Sequence, residues 1–199
     1  MNIHCVGDAI TEAFGLPESS RWTVRLQILL DNWKPETFDV YTNGVGGDTS
    51  AMGLERMNHP DRDNGLTLIE FGFNDCSCRP YGNKPRVGLK EYHANLESMG
   101  LLVRKRGGIP VYILNHPCYF PESHPAQPDG RVYADKVDEY REVCREVAKN
   151  IITPVVDLPK LMKDWNIKAE DFYSDGTHLS AKGQRLYAEM VFSVLKTLL

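Results

Sequence analysis

The chain has 199 residues, 42% apolar and 25% charged, which suits one soluble domain (1–199) with a sizeable core. A net charge of −4 argues against the basic face that nucleic-acid binding needs, and no run of 18 apolar residues offers a membrane span. The five cysteines are odd in number and scattered, and no signal peptide precedes the first apolar run. They read as free thiols in a cytoplasmic protein.

In chain order, "NIHCVG" (2–7) reads as a strand. Residues 19–33 place Trp22, Leu26, Leu29, Leu30 and Trp33 on one helical face. "FDVYTN" (38–43) is a second strand, and a helix follows from about Thr49 to Met57. "LTLIEFG" (66–72) is a buried third strand. A long helix over 86–106 stops at Gly107-Gly108, with Arg104-Lys105-Arg106 in its last turn, where cations suit the helix dipole. "PVYILN" (110–115) is a fourth strand, followed by a Pro-rich loop (116–130) and a helix over about 131–149. "TPVVDL" (153–158) is a fifth strand, and a last helix runs from Ser180, its N-cap, to Leu198. Strands alternating with helices predict a three-layer α/β/α domain around a five-stranded parallel sheet. Chemistry in such sheets gathers at the carboxyl ends of the strands.

At those ends stand Gly7-Asp8-Ala9, "NGVGGDTS" (43–50), "GFND" (72–75) and, before the last helix, "SDGTHLS" (174–180). Taken singly, each is weak. Gly46-Gly47 lacks the spacing of a phosphate loop, Asn74-Asp75 is an ordinary Asx turn, and Cys76-x-Cys78 is not a zinc spacing. Taken together, they form a set. Asp175, three residues before His178, fits a base and the group that fixes its tautomer. The Asn74 amide and the Gly47 N–H are donors of the kind that stabilise an oxyanion. A hydroxyl nucleophile is the missing part, and Ala9 stands where one is expected.

With those four blocks in order, the sequence resembles the SGNH hydrolases, the GDSL-type esterases and lipases. Their Gly-Asp-Ser block is Gly7-Asp8-Ala9 here. Their Gly block is Asn43 with Gly47-Asp48-Thr49, their Gly-x-Asn-Asp block is Gly72-Phe73-Asn74-Asp75, and their Asp-x-x-His block is Asp175-Gly176-Thr177-His178. The resemblance spans the chain and implies a flavodoxin-like fold. It also implies a serine ester hydrolase with Gly47, Asn74 and the residue-9 N–H as oxyanion donors, Asp175 and His178 as the acid–base pair, and no metal or cofactor. The nucleophile position is occupied by alanine, so the chain as it stands is expected to be nearly inert.

Two accounts of Ala9 are open: a serine replaced in an esterase, or a natural protein of this fold that binds and does not cleave. Retention of every other member of the set favours the first. Cys5 lies four residues upstream, inside the first strand, as a small buried hydrophobe rather than a substitute nucleophile. The family spans acetylesterases, short-chain lipases, thioesterases and lysophospholipases. The loop "HPCYFPESHPAQPDG" (116–130) offers His116, Tyr119, Phe120 and His124, a mixture suited to a sugar ring. With Asp8 and Phe73, His116 and Tyr119 are the expected substrate contacts. A compact chain without a lid points to a small acyl group, acetyl first, on a carbohydrate or similar polyol. A homo-oligomer is compatible with the sequence, and a flavodoxin-like nucleotide binder is disfavoured by the absent phosphate motif.

Overall fold

A computed structural model describes residues 1–57, 65–78, 82–120 and 125–199. Five parallel strands form one sheet: β1 (Asn2–Gly7), β2 (Asp39–Gly44), β3 (Gly65–Ile69), β4 (Ile109–Leu114) and β5 (Val155–Asp157), in the order β2-β1-β3-β4-β5. This is the doubly wound arrangement expected. The chain runs outward in one direction from β1 and in the other from β3. Loops leaving these neighbours therefore diverge and open a crevice at their carboxyl ends. The central strands are buried on both faces, which explains their unbroken apolar runs: Val111, Tyr112, Ile113 and Leu114 are all buried.

Between the strands lie α1 (Ala9–Glu12), α2 (Trp22–Trp33), α3 (Ser50–Met57), α4 (Phe73–Cys76), α5 (Leu89–Lys105) and α6 (Tyr133–Asn150). After β5 come α7 (Leu158–Asp164), α8 (Ala169–Phe172) and α9 (Ala181–Leu198). Helices α2 and α9 pack together on one face of the sheet, and α3, α5 and α6 form the chain of contacts on the other. The first pair is joined by the Trp22 N–H donating to Gln184 Oε1 at 2.8 Å and by the rings of Trp22 and Tyr187, 5.0 Å apart. Ser180 caps α9 as expected, accepting from the Gly183 N–H at 2.9 Å. The basic residues Arg104 and Lys105 occupy the last turn of α5.

Two strands are shorter than expected, and each ends for a local reason. Glu70 N still donates to Val6 O, but the chain then turns at Gly72, whose φ is +135°, into α4. Asp157 closes β5 by capping α7, where its carboxylate accepts from the Lys160 N–H. Helices α1, α4, α7 and α8 are too short to show a periodicity, and the sequence reading passed over them. The five cysteines are free, and Cys5 is fully buried in β1 with its thiol pushed up by burial.

Candidate active site

The crevice between the ends of β1 and β3 is a cleft of about 750 Å³. Ala9, Gly47, Asn74, Asp175 and His178 all line it, with Asp8 and Phe73. Residues up to 170 positions apart in the chain, Asp8 and His178, are thus brought to one opening by the sheet topology.

At the end of β1, Asp8 caps α1. Its Oδ1 accepts the Ile10 N–H at 3.0 Å and its Oδ2 accepts from Asn74 Nδ2 at 3.0 Å. The cap leaves the Ala9 N–H as the first orphan donor of α1. It also uses one of the two Asn74 amide hydrogens, with the other left for the cleft. Asp8 is 1% exposed, and burial pushes its carboxyl up to about 6. It forms the floor of the site rather than a free contact for substrate.

Gly47 follows β2 with φ at +82°, a conformation that a side chain would strain. Its loop is held on three sides. Arg86 donates to Gly47 O at 2.8 Å, and the Gly46 N–H donates to Glu12 Oε2 at 2.7 Å, so this glycine pair is no free phosphate cradle. Arg56, from α3, donates through Nε to Asp48 Oδ2 at 2.7 Å, through Nη1 to Asn43 Oδ1 at 2.5 Å and through Nη2 to Gly7 O at 3.2 Å. One guanidinium thereby ties the ends of β1 and β2 to the Gly47 loop. Behind it, Asp75 accepts from the Ser50 N–H at 2.9 Å and from Ser50 Oγ at 2.5 Å, and Asn95 donates to the same Oγ. Asp75 is buried, which pushes its carboxyl up to about 6.

His178 sits on a tight turn closed by the Ser174 N–H donating to His178 O, with a bridge between Tyr173 and Leu179. Its Nδ1 is 2.7 Å from Asp175 Oδ2, while Asp175 Oδ1 accepts the N–H groups of Thr177 and His178 at 3.0 and 2.7 Å. Partial burial pushes the Asp175 carboxyl upward, but the hydrogen bonds from the His178 ring and the two N–H groups outweigh it and hold the carboxyl below its ordinary range. An ionised Asp175 on Nδ1 fixes the tautomer that leaves Nε2 unprotonated and able to accept a proton.

Two expected substrate contacts are corrected. His116 is fully buried, packed against Phe73, Phe172 and Tyr173, with Nδ1 3.1 Å from Pro117 O. Burial pushes its pKa down to about 3, so it is a neutral core imidazole and does not line the cleft. Tyr119 is 64% exposed and stacks on Tyr173 outside the cleft. Its N–H donates to Gly176 O at 2.8 Å, so this part of the Pro-rich loop buttresses the Asp175–His178 turn. His124 lies outside the described residues.

The cleft walls are mainly apolar instead: Ile10, Phe14, Val45, Phe73, Phe120 and Tyr133. Phe14 lies against the His178 ring, centroids 5.3 Å apart. Of these, sequence reasoning named Phe73 and Phe120 and passed over the rest. It also missed Arg56, because no motif marks a side chain that acts by tying three loops together.

Residues 5–186 match the GDSL-like Lipase/Acylhydrolase family. The chain belongs to this family. This GDSL-family chain is 35% identical over 177 residues to the human isoamyl acetate-hydrolyzing esterase 1 homolog, covering 79% of itself and 66% of that protein. It is 25% identical over 175 residues to the Arabidopsis thaliana GDSL esterase/lipase CPRD49, with the same coverages. It thus spans just under two thirds of the length of these relatives. Among solved structures, TesA is 25% identical over the whole of both chains, with a TM-score of 0.75. A catalytic mutant of an acetylxylan esterase from Geobacillus stearothermophilus shares the fold at 20% identity and a TM-score of 0.77, over 98% of this chain and 93% of that one.

Proposed function

We propose that this GDSL-family chain carries the machinery of a carboxylic ester hydrolase for short acyl esters, with its nucleophile position occupied by Ala9. The observation that carries the reading is the 2.7 Å contact of His178 Nδ1 with Asp175, in the same cleft as Ala9, Gly47 and Asn74. With a serine at position 9, His178 Nε2 takes the hydroxyl proton and the oxygen attacks the ester carbonyl. The N–H groups of residues 9 and 47 and the free Asn74 amide hydrogen receive the developing oxyanion. His178 then protonates the leaving alcohol, and water, activated in turn by His178, releases the acid. No step requires a metal or cofactor.

On the substrate side, of the described loop residues that suggested a sugar ring, Phe120 lines the cleft and His116 and Tyr119 do not, which weakens the residue basis for a sugar. The acetylxylan esterases match at under 25% identity and lend their fold alone. An apolar cleft with Phe14 beside His178 suits an apolar alcohol, since the leaving alcohol departs next to the general acid. The isoamyl acetate-hydrolyzing relatives point the same way. An acetyl or similarly short ester of a branched or aromatic alcohol is the substrate class we favour over an acylated carbohydrate.

The second reading, a protein that binds such esters without turnover, rests on Ala9 itself. Removing the nucleophile from a serine hydrolase costs about 10⁶ in kcat, so the chain as it stands should show next to no hydrolysis. Ala9→Ser should hydrolyse p-nitrophenyl acetate and isoamyl acetate, with kcat/KM falling as the acyl chain lengthens. A folded Ala9→Ser protein that is inert on acetyl, butyryl and octanoyl esters would sink the hydrolase reading and leave the binding one.

A further inference from the structure

Beneath the turn that carries Ala9 lies a group of buried polar atoms. Glu70 follows β3 and is 1% exposed, and Thr11 and Tyr187 are fully buried. Both carboxyl oxygens of Glu70, Thr11 Oγ1 and the Tyr187 hydroxyl have no partner at full hydrogen-bond geometry among the described residues. Unpaired groups of this kind in a core are costly, and a folded chain satisfies them with each other or with internal water. Glu70 and Thr11 crowd the backbone of β1 from below. A Cβ on Gly7 would stand 2.4 Å from Thr11 Oγ1 and 3.0 Å from Glu70 Oε2. Residue 7 is a glycine because Thr11 Oγ1, the Glu70 backbone carbonyl and the Glu70 carboxyl fill its place.

Beside Glu70 lies the carboxyl of Asp8. Asp75 from α4, Tyr187 from α9, Cys144 from α6, Tyr92 from α5 and Cys5 from β1 also surround the pair, and His178 acts on Asp8 from the cleft. The side chains named from β1, α4, α5, α6 and α9 are acids, thiols and phenols; the cation that comes near is Arg56 of α3, on Gly7 O at 3.2 Å, and its guanidinium is already engaged by Asp48 and Asn43. Two adjacent buried carboxyls in such surroundings share one proton rather than ionise together. Asp8 receives the Ile10 N–H and the Asn74 amide, against the single Asp8 N–H that acts on Glu70, so Asp8 is the better-supported anion. Burial and the neighbouring Asp8 charge hold the Glu70 carboxyl well above its ordinary range.

We propose that Glu70 is a positioning residue whose protonated carboxyl donates to Asp8 and holds it so that Asn74 presents its second amide hydrogen to the cleft. The catalytic consequence rests on the ester-hydrolase reading, but the protonation and the hold on Asn74 do not. Asp8 cannot swing without releasing both the α1 cap and Asn74. Glu70 is the group that removes its freedom to do so.

The test begins with the chain as it stands. Infrared difference spectra against Glu70→Gln should show, near neutral pH, the carbonyl stretch of a protonated carboxyl that the Gln variant lacks. The Asn74 side-chain amide resonances, assigned by their loss in Asn74→Ala, should keep their positions in Glu70→Gln, which still offers a donor. They should shift or broaden in Glu70→Leu, which offers none. In the Ala9→Ser background, Glu70→Gln should keep kcat within about threefold, while Glu70→Leu should lose about 10² at unchanged KM, a loss on the scale of one oxyanion donor. Adding Asn74→Ala to Glu70→Leu should then cost little more. If Glu70→Leu does not fold, the Asn74 resonances of the unsubstituted chain should move at alkaline pH as Glu70 loses its proton, and those of Glu70→Gln should not. Absence of the protonated band near neutral pH, or Asn74 resonances indifferent to both Glu70→Leu and alkaline pH, would overturn the proposal. An inert Ala9→Ser protein would defeat the hydrolase reading alone, and the infrared and amide results would still decide for or against Glu70.

Discussion

Asp175 accepts three hydrogen bonds, two from backbone N–H groups that fix its carboxylate and one from the His178 ring. Asparagine at that position would turn an amide hydrogen toward Nδ1 and favour the opposite tautomer, with Nε2 protonated and unable to act as base. In the Ala9→Ser background, Asp175→Asn should therefore lower kcat by about 10⁴ with the fold intact, as steady-state kinetics would show. Asn74→Ala should cost about 10²–10³ in kcat, the usual loss for one oxyanion donor. A comparable loss in KM instead would mean that Asn74 serves binding and not the oxyanion. At this scale the sequence was informative, because the residues that its four blocks single out line one cleft. It was misleading for His116. A histidine after a strand in an aromatic loop reads the same whether it faces a cleft or fills the space among Phe73, Phe172 and Tyr173. Only packing separates the two.

Helix α3 illustrates how an element positions a site that it does not line. Its first residue, Ser50, is held by Asp75, and its last turn sends Arg56 back to Gly7, Asn43 and Asp48. The Gly47 loop is thus suspended between two fixed ends of one helix. Arg56→Met would keep the aliphatic stem but leave Asp48, 5% exposed, without its cation. A loss of about 1–3 kcal/mol in stability is expected, the cost of stranding a buried charged acceptor. Urea unfolding would register it as a lower midpoint at unchanged slope. The same variant made in Ala9→Ser should lose kcat more than affinity, since the Gly47 donor is what it loosens. The strands and the long helices followed their apolar periodicity. The short helices α1 and α4 did not, although they carry Ala9 and Asn74, because four residues are about one turn and leave no repeat to detect.

Across the whole molecule, the sheet order β2-β1-β3-β4-β5 brings several acids into one dry region behind the cleft. Asp75 moves from the ordinary 3.8 to about 6 through burial. A carboxyl raised on folding binds its proton more tightly in the folded chain. Its contribution to stability is present below the unfolded pKa and is lost as pH rises through the folded one. For Asp75 that loss is about 3 kcal/mol between roughly pH 4 and pH 6, and buried Asp8 and Glu70 act in the same direction. Two groups work the other way: Asp175, held below its ordinary range, weakens the fold only as pH falls below the carboxylate range, while buried His116, lowered to about 3, weakens it as pH falls below about 6.5 and so offsets one of the three raised carboxyls. Unfolding free energy measured across this range should therefore be higher near the acidic end than at neutrality, and Asp75→Asn should flatten the slope. A stability that rises steadily from acid to neutral pH would contradict this account.

Residue chemistry and its spacing were enough to read the alternation of strands and helices, the parallel sheet, the family and the five residues that share the cleft. All but the family follow from local rules: apolar periodicity, capping, and an acid three residues from a histidine; the family rests on the likeness of four short blocks to a known set. The apolar character of the cleft, the burial of His116, the clamp made by Arg56 and the carboxyl pair beneath the turn were not readable in that way. Each depends on side chains tens of residues apart meeting in three dimensions. Whether a polar group faces water or a core is set by what the other strands and helices place against it. The turn after β1, Gly7-Asp8-Ala9, shows both halves. Its residue types announce a missing nucleophile, while only the folded chain brings Asn74, Gly47 and His178 into the cleft that Ala9 lines.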